Sequence, residues 1–371
     1  MLLLGILAIQ NLYSKCNCNV KFFLNLFHGT RLDKKVDKMI QEDIRPIFIV
    51  GMNGSGTTML ADCLNNHPMI YMHKVESKVI PYYYKNIEKY GDMNNIKNFE
   101  KLLNEFSNNY AFRVCNNSIK LNIPFRFDEI KNKDLAKIID LTFSYFSARE
   151  NKIIWGDHSP KYAAFIPLLV ELFPNAKILH IIRDGRDCAQ SFKRRFGQNL
   201  SRTIFQWKKF VEKARKHGPA AGKDRYFEMK YEDLTRVPDL YMKEACSFLD
   251  VPFDDRVLIS NMPMYTENDM DTTKPQVKTI VQNSGKWKEV LKKRQVKKLE
   301  SIAGMTLKNI GYEVAYTEGD KDISKSWLSI LSIFDKMNAS IAYYKEYNEK
   351  DKLGTFIRSI RTSIKQYRSF K

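Results

Sequence analysis

The chain has 371 residues, 44% of them hydrophobic, enough for one large α/β domain with extensions or for two small domains, and too apolar for a disordered polypeptide. Lys and Arg outnumber Asp and Glu by 61 to 42, a formal net charge of +19, which favours acidic partners such as nucleotides, sulfated sugars, acidic peptides or anionic lipid without choosing among them. The six cysteines, at 16, 18, 63, 115, 188 and 246, form no CxxC pair and no Cys/His spacing for zinc, so no metal is expected. Thiols inside core-like segments lean toward a reducing, cytoplasmic compartment, with membrane association or a secretory-pathway lumen as the alternatives.

Residues 1–42 read as a leader. Its apolar run from Met1 to Ile9 stops at Gln10, short of the ~20 residues a membrane span needs, and suits a signal-peptide core, an incomplete anchor or a frayed end. After Pro46, Ile47-Phe48-Ile49-Val50 is a continuous apolar run before Gly51, the pattern of a strand buried on both faces. Thr57 to Asn65 carries Met59, Leu60 and Leu64 at helical spacing and stops at Asn66-His67-Pro68. Leu135, Ile138, Ile139, Phe143 and Phe146 mark a helix with one buried face, and Pro160 to Phe173 a further helix closed by Pro174. Lys177 to Ile182 is a second buried strand running into Arg183-Asp184-Gly185, Tyr226 to Met229 a third, and Asp239 to Leu249 another helix. The alternation predicts a three-layer α/β, P-loop-like domain over residues 43–315, with a central, mainly parallel sheet flanked by helices. Residues 316–371 form a basic helical extension, first around Trp327, Leu328, Leu331 and Phe334, then around Phe356, Ile357, Ile360, Ile364 and Tyr367. With Arg358, Arg361, Lys365 and Arg368 on its polar side, the last helix suits packing on the domain or peripheral membrane contact.

Chemistry concentrates at the ends of the first two strands. Asn53, Gly54, Ser55, Gly56, Thr57 and Thr58 lie between a strand and a helix start, where glycines let amides turn inward and the helix N-terminus favours an anion. The spacing follows GxxxxG, but Thr57 stands where nucleotide triphosphatases place lysine. That absence counts against the first rival reading, a small-substrate P-loop kinase. After the second strand, Arg183, Ser191 and Arg195 set two guanidiniums and a hydroxyl along one strand end and helix, a pocket for a phosphate dianion. Two anion sites imply a ligand with phosphate at both ends.

Four segments carry a family resemblance: IFIVGMNGSGTTML, ELFPNAKILHIIRDGRDCAQS, YEDL at 231–234 and GKW at 285–287. In this order they resemble the superfamily of sulfotransferases that use 3′-phosphoadenosine 5′-phosphosulfate (PAPS), nearest to its tyrosylprotein-sulfotransferase-like and bacterial branch. The resemblance implies in-line transfer of a sulfonate from PAPS to an acceptor hydroxyl or amine of a carbohydrate, tyrosyl peptide or small molecule, without a metal. By the same resemblance Ser55 to Thr58 would hold the 5′-phosphosulfate, Arg183 and Ser191 the 3′-phosphate with Arg195 beside them, and Tyr231 and Lys286 would lie near the donor. Glu76-Ser77-Lys78-Val79-Ile80-Pro81 resembles the segment that supplies the base, making Glu76 the base candidate and Lys78 its partner. Asp157-His158-Ser159-Pro160-Lys161 resembles a segment that usually reads Lys-Ser/Thr-Pro, with His158 at the lysine position and Lys161 one turn on. Many members also carry Lys or Arg where this chain has Gly54. Both departures are what a second rival, a catalytically degraded nucleotide-binding protein of the same fold, would predict. No nucleic-acid partner is expected, because no helix-turn-helix or aromatic-basic motif is present. The acceptor would be chosen by loops around 80–130 and 260–285, where Tyr82-Tyr83-Tyr84 suits either stacking on a ring or core packing.

Overall fold

The computed structural model describes residues 45–260, 278–280, 282–316 and 319–346. The expectations for the leader and for the helix from Phe356 to Tyr367 lie outside the described residues, as does most of the 260–285 loop.

Every residue of the Ile47–Val50 run is buried, and its two faces serve two different cores. This strand, β1, is central in a parallel sheet with β2 (Ile70–Met72), β3 (Ile154–His158), β4 (Lys177–Ile182) and β5 (Tyr226–Lys230), in the order β2-β3-β1-β4-β5. Ile49 pairs with His158 on one side and Leu179 on the other, which brings the carboxyl ends of β1, β3 and β4 to one edge. A short antiparallel pair, β6 (Ile259–Ser260) and β7 (Lys278–Thr279), lies apart from this sheet.

The helices in chain order are α1 (Thr57–Asn65), α2 (Ile80–Lys85), α3 (Ile96–Ser107), α4 (Tyr110–Cys115), α5 (Leu135–Arg149), α6 (Ile166–Leu172), α7 (Gly185–Phe196), α8 (Leu200–Ala221), α9 (Tyr231–Arg236), α10 (Pro238–Phe248), α11 (Trp287–Val290), α12 (Lys293–Ile310) and α13 (Lys325–Glu346). Phe48 and Val50 point into a core closed by Leu102 of α3 and by Ile139 and Phe143 of α5, where Phe143 stacks on Trp155 at 4.6 Å between ring centroids. Ile47 and Ile49 point the other way, against Leu60 and Leu64 of α1 and Met242 of α10. A third core joins Cys188 of α7 and Trp207 of α8 to Leu299 and Leu307 of α12. Truncating a fully buried ring such as Phe143 or Trp207 in these cores costs about 3–5 kcal/mol. The three-layer expectation thus holds, with helices on both faces of a parallel sheet.

Two local expectations change. The predicted helix Pro160 to Phe173 is a 3₁₀ turn, Pro160–Ala164, followed by α6, with Phe165 out of helical geometry at φ −122°, ψ 17°. Pro167 is the reason: it offers no N–H, and its ring clashes with the carbonyl four residues back, that of Ala163. The sheet also gains β2 and β3, whose short or partly polar sequences carry little strand signal. Of the tyrosine trio, Tyr83 is buried, Tyr84 donates to Glu171 at 2.8 Å and Tyr82 is exposed. Cys63, Cys188 and Cys246 are buried free thiols, and burial pushes the Cys63 thiol up to about 12. No helix among the described residues is long and apolar enough to cross a membrane.

The described part of the helical extension is anchored. Buried Asp335 of α13 accepts the Asn199 amide at the start of α8 (2.7 Å) and pairs with Arg202 (2.6 Å), while Leu331 is buried beside it.

Directly after β2, His73 is buried among Phe112, Phe143 and Phe146, with Nδ1 3.0 Å from the Tyr71 hydroxyl and Nε2 3.7 Å from Cys115 Sγ. Burial lowers this imidazole to about 3, from an ordinary 6.5. The unfolded chain therefore takes up the proton first, so His73's contribution is intact above pH 6.5 and is lost as pH falls toward 3. By pH 5 that loss amounts to about 2 kcal/mol. Denaturant titrations at pH 7 and pH 5 are expected to show this difference in the wild type and a smaller one, by about that amount, in His73→Phe.

Candidate active site

The turn after β1 is built to leave amides free. Gly56 adopts φ +102° as the N-cap of α1, no side chain caps that helix, and its first turn carries no acid. A helix start of this kind presents unsatisfied N–H groups and positive potential to an anion. A Cβ at Gly56 would lie 2.6 Å from the Tyr231 ring, so the loop rests on Tyr231 only because residue 56 is glycine. Ser55 is fully buried, its amide closes on the Met52 carbonyl at 2.9 Å, and its hydroxyl has no protein partner. Thr57 is buried beside it, while Asn53 and Thr58 are half-buried on the flanks.

Arg183, the first residue beyond β4, reaches this loop. Its guanidinium lies over Tyr231 (4.6 Å to the centroid) and donates to the Gly54 carbonyl at 3.2 Å and the Asn283 carbonyl at 2.5 Å. Its Nε is buried without a partner, and so is Asn283 Oδ1. The Trp207 indole fixes the Arg183 backbone carbonyl at 2.9 Å. Ser191 is half-buried on α7, next to Phe192, whose ring stands 3.1 Å from the point where a Gly54 Cβ would be. Arg195 lies farther along α7, exposed, with its guanidinium 5.1 Å from the centre of the Phe196 ring. Lys286 is exposed in the late loop, which Asp187 holds by accepting the amides of Gly285 (2.6 Å) and Trp287 (2.9 Å). The structure thus joins Gly54, Gly56, Arg183 and Tyr231 in direct contact and ties the loop of Lys286 to α7 by one carboxylate. Gly54 has a structural cause as well: φ +84° and the Phe192 ring leave little room for the cation that many members carry there.

Buried carboxylates around Arg183 complete the site. Arg186 is buried, pairs with Asp184 (2.7 Å) and Glu300 (2.5 Å), and lies 3.8 Å over Trp287. Glu232 accepts the Asp184 amide and the Tyr312 hydroxyl, each at 2.9 Å. Burial raises the Asp187 carboxyl, against the pull of Arg183 and the two late-loop amides. The signal lay in Arg183-Asp184-Gly185-Arg186-Asp187 itself: four charges in five residues after a buried strand must pair with one another or with the core's edge.

On the other side of β1, β3 ends at His158, which is buried, with Nδ1 lacking a partner. Burial lowers its pKa, while the Asp157 and Glu76 charges pull it back up, so the ring is a neutral imidazole. Glu76 is partly buried and pairs with Lys78 Nζ at 2.5 Å. Lys161 is exposed on the 3₁₀ turn that follows. One sheet edge therefore carries an amide cradle, a guanidinium, a neutral imidazole and a carboxylate with its own cation. Such a set can bind an anion and take a proton from a group beside it.

The Sulfotransferase family model matches residues 46–255. A protein-tyrosine sulfotransferase of Drosophila melanogaster is 27% identical over 227 residues, 57% of this chain and 39% of that protein. Protein-tyrosine sulfotransferase A of Caenorhabditis elegans is 25% identical over 287 residues, 72% of this chain and 67% of that protein. Among solved structures, the sulfotransferase domain of the Synechococcus PCC 7002 olefin synthase aligns with a TM-score of 0.47 and 22% identity, over 74% of this chain and 97% of that one.

Proposed function

The chain belongs to the sulfotransferase family, and from that premise we propose that it uses PAPS as donor and a peptide tyrosyl hydroxyl as acceptor. The observation that carries the donor is the junction of the glycine loop with Arg183, where Ser55 Oγ and Arg183 Nε are buried without partners. Buried polar groups of this kind are costly unless something satisfies them, and phosphate or phosphosulfate oxygens would do so. The start of α1 with Ser55, Thr57 and Thr58 takes the 5′ end, and Arg183 with Ser191 takes the 3′-phosphate, with Arg195 and Lys286 adding positive charge nearby. PAPS supplies the sulfonate and leaves as 3′-phosphoadenosine 5′-phosphate.

The chain's own work is positioning, proton removal and charge stabilisation. Glu76 receives the acceptor proton, Lys78 holds its carboxylate in place, and neutral His158 offers a hydrogen bond where the resembling segment carries lysine. The tyrosyl acceptor is supported by the two protein-tyrosine sulfotransferases matched in sequence and by the Glu76–Pro81 segment.

PAPS carrying a labelled sulfonate, offered with a panel of tyrosyl peptides, glycans, phenols and lipids, tests both halves. Label is expected on tyrosyl oxygen. Label on a glycan or a phenol alone would replace the acceptor, and bound nucleotide without any transfer would make the chain a catalytically degraded nucleotide-binding member of its family.

A further inference from the structure

The segment bearing Glu76 is held from below by a carboxylate that faces away from His158. Asp157 is fully buried at the end of β3, and its register partner Phe48 places it on the opposite face of the sheet from His158, whose partner is Ile49. It accepts the Ser77 hydroxyl in a short hydrogen bond, the Ser77 amide at 3.3 Å and the Ser159 hydroxyl at 3.3 Å. The Tyr162 hydroxyl lies 2.9 Å from Ser77 Oγ, and Ser159 Oγ accepts the Lys78 amide at 3.2 Å. Two relays thus converge on one buried carboxyl, one through Ser77 and one from Lys78 through Ser159; burial raises its pKa against the pull of the Ser77 hydrogen bond.

They converge where the backbone needs holding. Lys78 has φ +57°, left-handed geometry that costs a residue with a Cβ on the order of 1–2 kcal/mol. Such a conformation persists only where its surroundings over-determine it. At this turn Lys78 Nζ comes within 2.5 Å of Glu76, and the Glu76 charge bears on His158.

We propose that Asp157 is the positioning residue of this site: by fixing Ser77 and, through Ser159, the Lys78 amide, it locks the left-handed turn that aims Glu76 at the reacting edge. The proposal rests on Glu76 being the base. Asp157→Asn replaces a group that accepts from three donors by an amide that must itself donate, so one of the two relays breaks and Lys78 relaxes to negative φ.

Hydrogen exchange at the Ser77 and Lys78 amides reads the clamp without any acceptor. Asp157→Asn is expected to speed exchange there ~10-fold or more while 3′-phosphoadenosine 5′-phosphate binding stays within ~2-fold. Ser159→Ala, which leaves the buried carboxylate in place, should speed exchange at Lys78 more than at Ser77 and stands in if the asparagine variant does not fold. Turnover supplies the second reading: Asp157→Asn is expected to lose activity alone, yet Asp157→Asn/Glu76→Gln should be no slower than Glu76→Gln, because residues that act as one unit are not additive. Unchanged exchange in both single variants, or a full multiplicative loss in the double variant, overturns the clamp. Full turnover in Glu76→Gln would instead remove Glu76 as the base, and the exchange rates would still decide whether Asp157 holds the turn.

Discussion

Replacing Glu76 by glutamine is expected to lower turnover ~10²- to 10⁴-fold, the range a positioned general base contributes, while leaving nucleotide affinity within ~2-fold. The split follows from placement. Glu76 sits on the segment between β2 and α2 and pairs with Lys78, whereas the amide cradle lies across β1 at the start of α1. Glutamine keeps the side chain's size and one carbonyl oxygen but cannot take a proton. Steady-state kinetics with labelled PAPS, alongside calorimetry with 3′-phosphoadenosine 5′-phosphate, checks both halves. A variant that turns over normally assigns the proton to another group, and His158, whose ring feels the Glu76 charge, is the candidate.

Arg183→Ala should weaken binding of the same bisphosphate ~100-fold or more, since each charge-assisted hydrogen bond lost is worth ~1.5–3 kcal/mol. The substitution also frees the Gly54 and Asn283 carbonyls, so the turn after β1 and the late loop lose their common latch. Arg183→Lys keeps the charge but not the planar fork, cannot serve both carbonyls with the same geometry, and is expected to recover only part of the affinity. Melting temperatures measured beside the calorimetry separate lost binding from lost folding. Equal affinity in wild type and alanine variant would place the nucleotide elsewhere.

How far the sequence could be read depended on which forces wrote each part. The buried runs Ile47–Val50 and Lys177–Ile182 are legible because parallel strands with helices on both faces admit few polar residues. The turn after β1 is legible because glycine geometry leaves a residue signature, seen in Gly56 at φ +102° against the Tyr231 ring. β3 is harder to see, since it ends in Gly156-Asp157-His158, polar residues buried for reasons that only the third dimension supplies. Glu300 is opaque in the same way, lying 114 residues from the Arg186 it neutralises. Pairing over such separations leaves no spacing in the chain to detect.

Asp335 gives the helical extension a bearing on the chemistry. It ties down the start of α8, and that helix carries Trp207, whose indole pins the backbone of Arg183. A chain stopped at residue 316 would take Asp335 from the Asn199 amide and from Arg202, leaving the first turn of α8 to the Asn199 side chain alone. A stretch of sequence whose composition sets it apart from the domain thereby bears, through one helix, on the arginine that holds the Gly54 and Asn283 carbonyls together.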